Sequence, residues 1–303
     1  MSSATSRPGR LGVGIVGAGR VGAVIGNALR AAGHAVVGAT ATSDASVERV
    51  ENLLPGVPIL DIPTVIERSE LVLLTVPDDA LPELVEGLAT AGCWQQGQLV
   101  AHCAGRYGVE VLRPVLGFGA IPLAIHPVMS FTGTSIDVAR LSQAVFGVTA
   151  AAPVLPVAQA LVVEMGAEPI VIAEADRPAY HAAVAHASNH TVTVIAQASE
   201  MLEAIGIEDP GQVLAALVRA SADNALEKGQ AALTGPVSRG DVETVRAHLE
   251  ALTEHARATG NEELLITYAL MSRATTERAL AAGMIGQETG RKLLGILGSV
   301  PGR

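Results

Sequence analysis

The run Leu11–Gly38, LGVGIVGAGRVGAVIGNALRAAGHAVVG, decides the fold. It reads as an apolar strand, a glycine-rich turn, an alanine-rich helix and a second apolar strand. Gly17, Gly19 and Gly22 fall in the pattern G-x-G-x-x-G at the strand-to-helix junction. The three glycines of such a turn allow a tight bend, close backbone approach to a pyrophosphate, and close helix–strand packing. The helix that follows aims its free N–H groups and positive dipole end at whatever lies over the turn. An isolated glycine pattern is equally an ordinary turn. A complete strand–turn–helix–strand unit, closed by Gly33-His34, is read as dinucleotide-binding, with Gly17, Ala18, Gly19, Arg20, Val21 and Gly22 as the cofactor loop.

At 303 residues the chain is long enough for a large core and two domains. Half of it is hydrophobic with few aromatics, so Ala, Val and Leu must do the packing. No apolar run approaches the roughly 20 residues of a membrane span. The first ten residues, MSSATSRPGR, lack a signal-peptide core and read as a disordered tail. Cys93 and Cys103 offer no disulfide framework or C-x-x-C. A formal charge of −10 without a basic cluster argues against nucleic acid. The expectation is a soluble cytoplasmic protein.

The second strand, Ala35 to about Thr42, bears on the cofactor. An NAD enzyme usually places Asp or Glu about 20 residues past the glycine loop, on the ribose 2′-OH. Counting from Gly22 reaches Thr40-Ala41-Thr42-Ser43-Asp44. Small hydroxyl residues there (Thr40, Thr42, Ser43) leave room for a 2′-phosphate, with Arg20 and Arg49 as possible partners, so NADP(H) is preferred over NAD(H). Asp44, one residue on, keeps NAD open.

The run LVLLTVPDDA, from Leu71, reads as a buried parallel strand. Ligands in doubly wound sheets bind outside the C-terminal strand ends, so Val76 and Pro77 border the cofactor, while Asp78 and Asp79 read as N-caps of the next helix. Two further strands end in His102-Cys103-Ala104-Gly105 and in His126-Pro127-Val128-Met129-Ser130. Each delivers a histidine to the same edge. His102 is either a cofactor neighbour or a structural histidine beside a turn. Pro127 forces His126 into extended geometry, and Ser130 adds a polar group. No carboxylate or second cysteine stands at zinc-ligand spacing, so no metal is expected. Strands at Ala144–Thr149 and Pro169–Ala173 complete a sheet of about eight. The α/β Rossmann domain, a doubly wound and mostly parallel sheet, is placed at 11–173. An all-α C-terminal domain, for substrate and dimerisation, takes 174–303.

That second part opens with a helix from Pro178 to about Ile205. At about 100° per residue, His181 and Ser188 fall within about 20° of each other and Asn189 about 80° from His181. His186 and His190 are four apart but lack the glutamate of H-E-x-x-H, so they do not read as a zinc-hydrolase pair. A second helix follows from Pro210. The loop LTGPVSRGD, Leu233–Asp241, carries Thr234 and Arg239. Arg239 can grip a carboxylate bidentately, or it can pair with Asp241, which would also cap the helix Val242–Thr259.

On GIVGAGRVG, LVLLTVPDD and HPVMSFTG, the chain resembles Rossmann domains of the 6-phosphogluconate-dehydrogenase-like superfamily, which includes prephenate dehydrogenase, pyrroline-5-carboxylate reductase and ketopantoate reductase. The last segment is similar to the His-Pro-Met-x-Gly segment of prephenate dehydrogenases, whose catalytic histidine corresponds to His126. Over nearly the full chain, HCAG, AIHPVMSF, RPAYHAA…SN and LTGPVSRGD resemble a bacterial family that joins a Rossmann-like domain to a domain of unknown function. Some members are thought to reduce ketopantoate, and a homodimer through the helical domain is what the resemblance implies. One departure matters. Ketopantoate reductases and hydroxyacid dehydrogenases carry Lys-x-x-x-Asn on the first helix of the second domain. Here Asn189 would pair with Ala185, or, one turn longer, with His181, and the only lysines are Lys228 and Lys292. The proton donor must be something else.

The expected activity is NADPH-dependent reduction of a small 2-keto acid. His126 or His181 donates the proton, since histidine titrates near working pH. Asn189 or Ser130 orients the carbonyl, and Arg239, Thr234 and Tyr180 bind substrate. Two alternatives stand beside it: a non-catalytic NADP-binding sensor or interaction module, and an enzyme acting on a cyclic imine or prephenate-like acid.

Overall fold

The computed structural model describes residues 10–300. The expected tail Met1–Arg10 therefore lies outside the described residues except for Arg10, whose guanidinium reaches Glu164 at 3.3 Å. In chain order the elements are β1 (Gly12–Val16), α1 (Arg20–Ala31), β2 (Ala35–Ala39), α2 (Asp44–Leu53), α3 (Ile62–Glu67), β3 (Leu71–Leu74), α4 (Leu81–Thr90), β4 (Leu99–His102) and β5 (Ile121–Pro127). Next come α5 (Ser135–Arg140), β6 (Val145–Thr149), α6 (Leu155–Glu164), β7 (Glu168–Val171) and α7 (Arg177–Ala204). The rest is helical: α8 (Pro210–Lys228), α9 (Pro236–Arg239), α10 (Val242–Thr259), α11 (Glu263–Ala281) and α12 (Gln287–Leu297). Packing divides the chain between Ser188 and Asn189, inside α7. The change from strands to helices near Ala173 marks where the sheet stops rather than where this division falls.

The first unit holds one seven-stranded sheet in the order β2-β1-β3-β4-β5-β6-β7, where about eight strands were expected. Outside the named strands, a single bridge joins Ala39 to Ile59. All neighbours are parallel except β5 and β6. The chain leaves β1 to one side for β2 and crosses to the other for β3, so the switch point lies at their C-terminal ends. Alternate strand residues face opposite layers. Val13, Ile15, Leu71, Leu73, Leu123 and Ile125 pack with α1, α2 and α6. Val16, Val72, Leu74 and Val100 pack with α3, α4 and Trp94. Covering both faces is what makes these strands continuously apolar. The segment Glu110–Phe118 is a 3₁₀ helix with Pro114 inside it.

In the second unit, α10, α11 and α12 close over Val245, Leu249, Leu252, Leu265, Ala279 and Leu293. Asp241 caps α10 as expected, accepting from the Thr244 N–H at 3.1 Å and its hydroxyl at 2.7 Å. By contrast α8 buries only Pro210. Val192, Val213, Leu217 and Leu226 lie exposed.

The glycines of the opening turn differ in what they tolerate. A Cβ on Gly22 would run into the Thr75 hydroxyl and the Gly17 carbonyl, whereas one on Gly19 would meet nothing nearer than 3.9 Å. Gly22→Ala is therefore expected to lose about 1–3 kcal/mol in urea unfolding. Gly19→Ala is expected to stay within about 1 kcal/mol of the parent. Equal losses in the two variants would refute this division of roles.

Candidate active site

The ends of β1, β2 and β3 are stitched together at the glycine turn. Gly17 takes φ +93°, open to glycine but strained for other residues. Its N–H donates to the Thr40 hydroxyl at 2.8 Å, and its carbonyl accepts from the Thr75 hydroxyl at 2.6 Å. The Ala18 N–H donates to the Thr40 carbonyl at 2.8 Å. Thr40 is buried and its hydroxyl serves the turn, so that hydroxyl is not the open phosphate partner expected. Ser43 is likewise engaged: it caps α2 in a reciprocal capping box with Ser46. Thr42 is exposed at the end of this strand. Gly19, at the N-cap of α1, leaves the space above the turn open, which fits close approach of a dinucleotide pyrophosphate.

Arg20 and Arg49 converge beside this turn on Gly133. A Cβ there would lie 2.8 Å from Arg49 Nε and 3.1 Å from Arg20 Cγ. The Gly133 loop is anchored by the buried Asp137, whose Oδ2 accepts the Thr132 N–H and the Gly133 N–H, both at 2.7 Å. Burial alone would raise the Asp137 carboxyl. Hydrogen bonds from Gly133, Thr132 and Thr134 outweigh it and hold the carboxyl below its ordinary range. These two arginines thus sit where a 2′-phosphate could be met.

Val76 and Pro77 follow β3, with Val76 against the Gly17 turn. The two aspartates after them do not cap α4: its N-cap is Ala80, without a side-chain bond. Asp79 pairs with Arg106 at 3.6 Å. Asp78 is half-buried. Burial raises its carboxyl above the usual range, against the opposing pull of His181 and Arg106. It belongs with the histidines, which the sequence reading missed.

His102, at the end of β4, is buried and fully committed. Its Nε2–H donates to the Gly108 carbonyl at 2.7 Å, and Nδ1 accepts the Ala104 N–H at 3.1 Å. Burial pushes it down to about 4, assisted by Arg177 and opposed by the Gly108 bond. It shapes the turn that carries Gly105, which is its structural reading. His126, at the end of β5, lies 2.7 Å through Nδ1 from the Tyr180 hydroxyl. Its ring meets Tyr180 edge-on at 5.6 Å and His181 edge-on at 6.0 Å. A Cβ on Gly105 would fall 2.5 Å from His181 Cδ2 and 2.9 Å from His126 Nε2, so only glycine admits both rings here. His126 is also pushed down to about 4, first by burial and then by the charges of Arg177, His181 and His102.

Arg177, not singled out from the sequence, is 1% exposed. Nε donates to the Thr149 hydroxyl at 2.8 Å and Nη2 to the Gly147 carbonyl at 3.0 Å. Burial raises the Tyr180 phenol, against Arg177 and a hydrogen bond from the Gly147 backbone. The His126–Ser130 segment and Ala183, Val184, Ala187 and Ser188 of α7 line a cavity of about 540 Å³ without a charged side chain. Ser130 and Ser188 are exposed at its rim.

In the second unit, Asn189 is exposed on α7. Thr234 and Arg239 are exposed around α9, and Arg239 lies within electrostatic reach of Asp241. Among the described residues no group of three His, Cys, Asp or Glu is arranged to hold a metal, and no helix is long and apolar enough to cross a membrane.

This is the architecture of a Rossmann-type dinucleotide fold with a polar cluster at its switch-point edge. Residues 1–127 match the Rossmann-like domain and 144–275 the domain of unknown function DUF2520, so the chain belongs to the proteins that join these two. A Bacteroides fragilis protein described as an NADP oxidoreductase superposes with TM-score 0.74 at 21% identity, over 88% of this chain and 98% of its own. Thermotoga maritima protein TM1727 gives 0.64 at 23%, over 89% and 99%. An imine reductase from Pseudomonas sp. gives 0.60 at 15%, over 95% and 100%. No curated protein matches the sequence.

His102, which is buried, and His126, which is part-buried, set an acid limit. An unfolded imidazole takes its proton near pH 6.5, whereas His102 and His126 resist it until about 4. Between these values the unfolded chain binds more protons, so stability falls as pH drops from about 6.5 to 4. Urea midpoints measured at pH 7, 6 and 5 should decline, and His102→Gln should flatten the decline if that substitution still folds. A midpoint independent of pH over this range would contradict the neutral histidines.

Proposed function

We propose that this protein is an NADPH-dependent oxidoreductase that reduces the C=O of a small 2-keto acid, ketopantoate being one candidate. The observation that carries this is the cluster of His126, Tyr180 and His181 around Gly105, at the same sheet edge as the open glycine turn. The fold shared with an NADP oxidoreductase supports it. When bound, NADPH supplies the hydride. Gly17–Gly22 would seat its pyrophosphate, and Arg20 and Arg49 would take the 2′-phosphate, favouring it over NADH. His126, uncharged at neutral pH, hydrogen-bonds the carbonyl oxygen and passes it a proton, with Ser130 orienting it. His181, which acts electrostatically on Asp78, is the other candidate donor.

A second reading, reduction of a cyclic imine, is favoured by the uncharged lining of the cavity beside His126. A binding module without chemistry would have little use for such a polar cluster. We further propose a homodimer, on the exposed apolar side chains of α8.

The test is NADPH oxidation with 2-keto acids, ketopantoate included, and with uncharged cyclic imines. At least one substrate should be turned over, and His126→Ala should lower kcat about 100-fold or more. Arg20→Ala and Arg49→Ala should weaken NADPH binding more than NADH binding. Silence across the whole panel would overturn the oxidoreductase reading.

A further inference from the structure

Arg177 is a cation placed where a cation is expensive. It is 1% exposed, and its Nη1 is buried with no hydrogen-bond partner. Its other bonds go to uncharged acceptors: the Thr149 hydroxyl and the carbonyls of Gly147 and Ala124. Glu174, whose charge reaches it, is occupied by the N–H groups of Val109 at 2.7 Å and Glu110 at 3.3 Å. A buried charge without a close counter-ion calls for compensation. The group on hand is Tyr180, whose ring lies 5.7 Å from the guanidinium carbon. A phenol is neutral at rest and becomes an anion only when it gives up its proton.

The hydrogen-bond directions agree with this. Among the described residues the Tyr180 hydroxyl has one side-chain hydrogen-bond partner, His126 Nδ1, and a neutral phenol has a proton to place. The Tyr180 O–H is then left to donate to His126 Nδ1 at 2.7 Å. A neutral imidazole accepting at Nδ1 carries its proton on Nε2. That nitrogen lies on the Gly105 side, and among the described residues it has no hydrogen-bond partner.

We propose that Arg177 is a positioning residue whose buried guanidinium supports a proton relay from Tyr180 through His126 to the substrate. The inference rests on reading this site as one that reduces a C=O or C=N bond. With a hydride delivered to the carbon, the Nε2–H bond of His126 would break and an O–H or N–H bond would form on the product. In the same movement the Tyr180 O–H breaks and Nδ1–H forms. The phenolate left behind faces Arg177. After product leaves, Tyr180 recovers its proton from Nδ1 and water reprotonates Nε2, so one solvent proton is consumed per turnover. Both Tyr180 and Arg177 act through His126. The charged or titratable groups around the imidazole are Arg177, Tyr180 and His181 from the start of α7 and His102 from β4.

The test reads the imidazole itself. In the ¹⁵N-labelled full chain, with His126 assigned by a His126→Gln control, the ring should stand in the Nε2–H form at neutral pH. Tyr180→Phe removes the donor and should shift the population toward Nδ1–H. Arg177→Gln should raise the pH midpoint of His126 by about one unit or more, while Arg177→Lys, which keeps the charge, should hold it near the parent value. A merely structural Arg177 would change stability but move neither tautomer nor midpoint. Finding the proton on Nδ1 in the parent, or an unmoved midpoint in Arg177→Gln, overturns the relay. Should Arg177→Gln fail to fold, the tautomers of the parent and of Tyr180→Phe decide alone. Turnover with the wrong tautomer sinks the relay and spares the oxidoreductase reading. The right tautomer with no turnover on any substrate sinks that reading, and the proton step with it.

Discussion

Between the ends of β1 and β3 there is no room for a side-chain carbon, and the sheet edge is built around that restriction. Thr75 reaches from the β3 end to the Gly17 carbonyl while Thr40 reaches from the β2 end to the Gly17 N–H. Gly22 lets α1 settle against both. Two hydroxyls therefore fix the turn from opposite sides, and the backbone at Gly19 stays uncovered because its neighbours are already satisfied. The cost of a missing Cβ in a helix, of order 1 kcal/mol, is small beside the backbone polar groups that would otherwise be left unpaired at this edge.

The same device recurs one layer away at Gly105. There the close approach admits two imidazole rings rather than a helix. His102 holds this second turn by using both ring nitrogens on its backbone, at Ala104 and Gly108. A histidine spent in this way has no chemistry left to give. It frees His126, one strand along, to face the cavity. Both rings are pushed below the ordinary imidazole range by burial, with Arg177 adding to it.

The fold was legible where its signals are local. Glycine spacing, strand-length apolar runs and a cap such as Asp241 depend on residues a few positions apart. The site was legible only in part, for the opposite reason. Arg177 stands before a proline at a helix start, where an arginine ordinarily faces water; it is buried by β5 and β6, partners about thirty and fifty residues away. Asp78 and Asp79 follow Pro77 in a pattern that imitates an N-cap, yet the helix begins at Leu81 and leaves Asp78 to the histidines. Thr40 and Ser43 looked free for phosphate because nothing in their spacing reveals the Gly17 N–H or the capping box. Position along the chain announced these residues, but only the packing assigned their hydroxyls and charges.

The absence of lysine from the first turns of α7 then has a physical consequence. A lysine donor must be held charged in a site that excludes water, and burial opposes the charged form. In the proposed relay a neutral imidazole backed by a phenol avoids that penalty. The penalty is moved to Arg177, whose charge is fixed over the whole working pH range and which is tied to three backbone and side-chain oxygens. Placing the permanent charge behind the phenol, out of reach of substrate, lets the groups that face the cavity stay uncharged. That arrangement suits a carbonyl or imine, whose own charge appears only as hydride arrives.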